Sequence, residues 1–204
     1  MENLFITAIG TDSGKTLVSS ILVEALGADY WKPIQAGEPT DTNGVKALVS
    51  NKKVQFHPER YVLEMPASPH AAAKAEGIHI KLSDFELPET NKRLIIEGAG
   101  GMLVPFNDDD YVINLAQKFN LAIILVSNLY LGNINHTLLS IEYLKQQKIK
   151  VKGIIFNGES NPESERIILS KCDWPCLFRI PVLKEVNREE IKAFTKSIRW
   201  EEIF

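Results

Sequence analysis

A chain of 204 residues, 45% hydrophobic and 24% charged, can bury one sizeable core, and a formal net charge of -3 gives no basic field of the kind that draws a protein to nucleic acid or an anionic membrane. A small soluble partner is therefore expected. With no abrupt change in composition, no fixed-period repeat and no low-complexity run, residues 1–204 read as a single domain.

The start, Met1-Glu2-Asn3-Leu4-Phe5-Ile6, has no basic leader and too short an apolar run for a signal peptide, and no later run approaches a membrane span. The expected location is the cytoplasm. Leu4-Phe5-Ile6-Thr7-Ala8 reads as the first strand, and strand-length apolar runs recur at Leu94-Ile95-Ile96, Leu121 to Val126 and Val151 to Phe156. These runs are continuous, not alternating, so both faces of each strand should be covered, as in a parallel sheet flanked by helices. Between the runs lie helical patterns. Thr16 to Leu26 puts Leu17, Val18, Ile21, Leu22 and Ala25 on one stripe and stops at Gly27, and further helices are predicted over 110–119, 135–147, 162–172 and 187–198, the last opened by Asn187. The expected fold class is α/β, with a parallel central sheet and helices on both faces.

Ligands of such sheets sit outside the carboxyl ends of the strands. Directly after the first strand comes Ala8-Ile9-Gly10-Thr11-Asp12-Ser13-Gly14-Lys15-Thr16, and the first helix follows at once. Backbone N–H groups of such a turn can surround a triphosphate, the helix N-terminus adds a positive dipole end, Lys15 supplies a full charge and Thr16 offers a hydroxyl to magnesium. The loop is a variant, because a strict G-x4-G-K-[ST] pattern needs glycine at position 9, where Ile9 stands. Its place between an apolar strand and an amphipathic helix still points to nucleotide binding.

Next, Tyr30-Trp31-Lys32-Pro33-Ile34-Gln35-Ala36-Gly37 reads as a short strand stopped by proline and glycine, which puts Lys32 at the same edge of the sheet, where it could neutralise phosphate or carboxylate charge. Ser68-Pro69-His70 looks like a helix start capped by Ser68. In Ile95-Ile96-Glu97-Gly98-Ala99-Gly100-Gly101 a buried strand ends in a carboxylate followed by glycines, so Glu97 can add an oxygen ligand to a hard cation while Gly100 and Gly101 allow close approach of a substrate. Asp108-Asp109-Asp110 precedes a helical pattern and reads as helix-start acid rather than a metal cluster. His57, His79 and His136 have no metal spacing, Trp31, Trp174 and Trp200 read as packing anchors, and Cys172 and Cys176 as reduced, buried thiols. Leu131-Gly132-Asn133-Ile134-Asn135-His136, between the third apolar run and its helix, forms a helix N-terminus suited to an anion, the ordinary alternative being a loop capped by Asn133 or Asn135.

Taken in order, the Gly-Lys-Thr loop, Lys32-Pro33, Ser68-Pro69-His70, the Glu97 to Gly101 run, the Leu131 to His136 run and Asn157 resemble the dethiobiotin synthetase family, of the P-loop NTPase fold, along most of the chain. The resemblance implies an enzyme that joins 7,8-diaminononanoate, CO2 and ATP with Mg2+ through a carbamate and a carbamic-phosphoric anhydride. It implies catalytic roles for Thr11, Lys15 and Lys32, and a metal held by Thr16, Asp41 and Glu97. Nucleotide contacts would come from Asp12, Ser13, Gly14, Lys15, Thr16, Leu17, Asn157, Pro181, Val182 and Glu185, and substrate contacts from Lys32, Gly100, Gly101, Leu131, Gly132, Asn133 and Asn135. It further implies a homodimer with its sites at the interface. Departures are Ala8 and Ile9 in the loop, Ala36 where many relatives have serine, and Gly158 where aspartate is frequent. A rival of the same fold is a nucleotide-switched partitioning or scaffold ATPase; those usually carry an extra lysine early in the loop, where this chain has Ile9 and Gly10.

Overall fold

A computed structural model describes residues 1–204. In chain order the elements are β1 (Leu4–Ala8), α1 (Lys15–Leu26), β2 (Asp29–Trp31), β3 (Ile34–Ala36), α2 (Asp41–Leu48), β4 (Phe56–His57), β5 (Tyr61–Leu63), α3 (Pro69–Ala75), β6 (Leu94–Glu97), α4 (Val112–Lys118), β7 (Ala122–Asn128), α5 (Asn133–Gln146), β8 (Val151–Asn157), α6 (Pro162–Leu169), β9 (Cys176–Ile180) and α7 (Arg188–Lys196). Seven strands form one sheet in the order β4-β2-β6-β1-β7-β8-β9, and every pairing in it is parallel.

Continuous apolar strands are needed because the sheet is covered on both sides. Phe5, Ile96, Leu125 and Phe156 point into a core with Ala72, Ile113, Ile141 and Ile168 of α3 to α6. Their neighbours Leu4, Ile6, Ile95 and Ile124 point the other way, against Val18, Ile21 and Leu22 of α1, Val45 of α2 and Ile191 of α7. Each fully buried side chain of this size contributes about 1.5–3 kcal/mol relative to exposure.

Three local findings differ from the sequence reading. The segment Tyr30 to Gly37 is not one strand: Pro33 has no N–H for a ladder, the chain leaves the main sheet there, and β3 pairs instead with β5 in a separate two-stranded sheet. The N-cap of α4 is Tyr111, not the acidic run; Asn107 Oδ1 accepts from the N–H groups of Asp109 and Asp110, so Asp108-Asp109-Asp110 forms a turn. Cys172 and Cys176 are free but only half-buried. The predicted ends do hold at α1, which stops at left-handed Gly27, and at α7, where the Asn187 side chain accepts from the Glu190 N–H. No helix is long and apolar enough to cross a membrane.

Candidate active site

Strand β1 is paired with β6 on one side and β7 on the other, so the chain departs in opposite directions from it and a crevice opens at its carboxyl end. Residues 9–14 turn there before α1 begins. The turn is held by its own groups: Ser13 Oγ donates to the Gly10 carbonyl at 3.1 Å and Lys15 Nζ donates to the same oxygen at 3.3 Å. Asn157, at the end of β8, donates from Nδ2 to the Ser13 carbonyl at 3.0 Å. Gly14 has φ 93°, and a Cβ there would stand 2.2 Å from Asn157 Nδ2, so only glycine fits this position. A Cβ on Gly101 would lie 3.4 Å from the Gly10 Cα, which shows how closely the two glycine-bearing loops approach.

Burial, and after it the nearby Lys32 charge, lowers the Lys15 pKa to about 8. An anion bound in the turn would raise it again by favouring the charged form.

Across the crevice four side chains converge. Glu97, at the end of β6, is wholly buried. The Thr16 hydroxyl lies 2.7 Å from Asp41 Oδ1 and 3.1 Å from Glu97 Oε1, and its single proton can serve one of them at a time. Lys32 Nζ stands between the same carboxylates, 2.5 Å from Asp41 Oδ2 and 3.3 Å from Glu97 Oε1, and donates to the Gly98 carbonyl at 2.9 Å. Burial alone would lower the Lys32 pKa, but Glu97 and Asp41 outweigh it and raise it. Likewise burial would raise the Asp41 carboxyl, and the Lys32 ammonium holds it below the usual carboxylate range. Two carboxylates and a hydroxyl gathered around an ammonium make a site already built for positive charge, and its hard oxygen donors suit magnesium.

A cavity of about 840 Å³ connects these groups and is lined by Thr11, Asp12, Gly14, Lys15, Thr16 and Leu17 of the loop and helix, with Lys32, Asp41, Glu97 and Gly100 opposite. Ser13, within the loop, is buried. A second cavity of about 500 Å³ shares Thr11 and Ser68 with the first and contains Gly101, His70 and His136. Pro181 and Val182 line a third, of about 480 Å³, beside Gly158.

Other predicted residues fall elsewhere. Glu185 is exposed, its carboxylate accepts from Asn187, and it lines none of the three cavities, although its neighbour Val186 lines the first. Leu131, Gly132 and Asn135 are exposed at the start of α5 and line none of the three cavities. Gly132 is the N-cap, with no side-chain cap bond, so the capping alternative for Asn133 and Asn135 does not hold. Asn133 is buried inside the helix with Nδ2 unpartnered.

Two participants carry no motif. Tyr30 donates its hydroxyl to Glu97 Oε2 at 3.0 Å, and burial first, with the Glu97 and Asp41 charges after it, raises the phenol well above its ordinary pKa, so it remains a donor. Gln35 accepts from the Asp41 N–H at 3.0 Å and donates to the Gly37 carbonyl at 2.9 Å, fixing the start of α2. The available signal for Tyr30 was its spacing of two from Lys32 at the end of a short strand, a spacing that in extended chain puts both on one face.

A family model described as an AAA domain matches residues 2–190. The ATP-dependent dethiobiotin synthetase BioD of Cytophaga hutchinsonii is 52% identical over 200 residues, covering 97% of either chain. That of Christiangramia forsetii is 53% identical over 169 residues, 82% of this chain and 81% of its own. That of Afipia carboxidovorans is 44% identical over 93% of this chain and 92% of its own. Among solved structures, a ParA family ATPase from Chlorobium tepidum superposes with a TM-score of 0.54 at 11% identity, covering 96% of this chain and 98% of that one. The septum site-determining protein MinD with Mg-ADP from Pyrococcus horikoshii gives 0.53 at 16% identity, covering 95% and 86%. At such identities the two structures establish the fold alone.

Proposed function

The chain belongs to the ATP-dependent dethiobiotin synthetase family, and from that membership we propose how its residues divide the work of the reaction. It is an ATP-dependent ligase of biotin biosynthesis. In the proposed sequence one amine of 7,8-diaminononanoate attacks CO2 and loses a proton to give a carbamate. A carbamate oxygen then takes the γ-phosphoryl group of ATP, releasing ADP. Finally the second amine attacks the carbonyl carbon of this mixed anhydride, phosphate leaves, and the cyclic urea closes.

No nucleophilic side chain is required, so the protein supplies position and charge. Lys15 follows the transferring phosphoryl group, Lys32 offsets charge on the carbamate, and Thr11, shared by the two cavities, donates a hydrogen bond at the join between nucleotide and substrate. Asp12, Ser13, Gly14, Thr16 and Leu17 wrap the nucleotide, with Asn157, Pro181 and Val182 on the side of the base. Thr16, Asp41 and Glu97 would hold Mg2+, which when bound offsets phosphate charge. The observation that carries this reading is the convergence of Thr16, Asp41, Glu97 and Lys32 opposite the phosphate-binding turn.

Residues 1–204 would act as one domain, in the cytoplasm, and as a homodimer. Support for the dimer comes from Leu131, fully exposed, and from Tyr130, Leu103 and Leu139, apolar surface close to the second cavity, which Leu103 and Leu139 line. A second copy covering this face would place Gly100, Gly101 and the partner's Leu131 to Asn135 segment around the diamine.

Phosphate release is the test. It should require diaminononanoate and bicarbonate together with ATP. Release at the same rate from ATP alone would overturn the assignment and favour the nucleotide-switched alternative.

A further inference from the structure

We propose that Tyr30 is a positioning residue for Glu97, fixing which carboxylate oxygen faces the crevice; this rests on the reading of Glu97 as a metal ligand. Tyr30 pairs in register with Ile95 of β6, so its side chain leaves the sheet on the same face as Glu97, two residues further on. The ring spans that diagonal and its hydroxyl donates to Oε2 at 3.0 Å. Neither residue has any exposed surface.

The two oxygens of Glu97 consequently differ. Oε1 faces partners that line the large cavity, Thr16 at 3.1 Å and Lys32 at 3.3 Å. Oε2 has one neutral donor anchored in the core, where the Tyr30 ring meets Phe56 with centroids 6.0 Å apart. A phenol suits this task better than a cation would. It orients the carboxylate without cancelling the negative charge that a hard metal requires. Without the hydroxyl, Oε2 becomes a buried acceptor lacking that donor, and a carboxylate that turns to recover one carries Oε1 out of line.

The test uses Mn2+ in place of Mg2+, with its binding to the ADP complex followed by electron paramagnetic resonance. The proteins are wild type, Tyr30→Phe, Glu97→Gln and the double variant. Phe keeps the ring against Phe56, and ADP affinity without metal checks that each variant is folded. Tyr30→Phe should weaken Mn2+ binding about ten-fold with metal-free ADP affinity unchanged. Glu97→Gln should weaken it at least as much, and adding Tyr30→Phe to Glu97→Gln should change little more, because the phenol acts through the carboxylate. Mn2+ binding by Tyr30→Phe within two-fold of wild type, beside a weakened Glu97→Gln, overturns the role of Tyr30 alone. An undiminished Tyr30→Phe effect in the Glu97→Gln background also overturns it, since the tyrosine would then act on the general structure. Unchanged binding by Glu97→Gln overturns the metal reading and the Tyr30 proposal together.

Discussion

Lys15 is held ready for an anion: nearly removed from water, it has only the Gly10 carbonyl at 3.3 Å as a hydrogen-bond acceptor. Its side chain serves the crevice more than either core cluster. Lys15→Ala should therefore lower turnover by about 10²–10³ or more, in the range seen when one preorganised charge donor is removed. The melting temperature should stay within a few degrees, and turnover within a few-fold of wild type would refute the assignment. For Glu97→Gln the expected readout is the magnesium titration, whose midpoint should rise about ten-fold or more because an amide is a weaker ligand for a hard cation. A superimposable titration would remove Glu97 from the metal.

At the scale of elements, the starts of three neighbouring strands are tied together at the end of the sheet away from the crevice. Asp29, the first residue of β2, accepts from the Gln55 N–H before β4 at 2.8 Å, and from Thr90 Oγ1 at 2.6 Å and Lys92 Nζ at 3.1 Å before β6. Burial would raise its carboxyl pKa, but the Thr90, Gln55 and Lys92 contacts outweigh this and lower it. A depressed folded-state pKa means that the contribution to stability is present above the unfolded value, near 3.8, and is lost as pH falls through the lower folded value. Asp29→Asn should cost about 1–3 kcal/mol at neutral pH, the usual range for spoiling a buried charged hydrogen-bond set. In urea titrations its deficit relative to wild type should shrink as pH drops below about 4. A deficit independent of pH would contradict the titration of this group.

At the scale of the whole molecule, the exposed apolar residues around the start of α5 argue for a second copy on that face. In the proposed dimer, wild type should scatter light as two chains and Leu131→Glu as one at the same concentration. Diamine affinity should fall while ADP affinity persists, because the phosphate-binding turn lies within one chain. A monomeric wild type with full activity would refute the shared arrangement of sites.

The order of chemistry along the chain could be read from sequence because each signal is local. A Gly-Lys-Thr turn after an apolar strand needs only its neighbours, and Glu97 ends a strand whose apolar run marks it as buried. The boundaries of α1 and α7 are set by Gly27 and Asn187 for the same reason. Long-range pairing decided the rest. That β6 inserts between β1 and β2, placing Glu97 beside Thr16, 81 residues away, is a property of strand order that no local pattern encodes. That Lys32 stands between Asp41 and Glu97, and that Tyr30 holds the far oxygen of Glu97, depends on the register of β2 against β6 and on the exit of the chain at Pro33. Sequence thus determined that the Gly-Lys-Thr turn and Glu97 follow buried apolar strands, while the tertiary structure alone decided which strand ends meet, because a contact between distant segments exists only when the whole sheet is assembled.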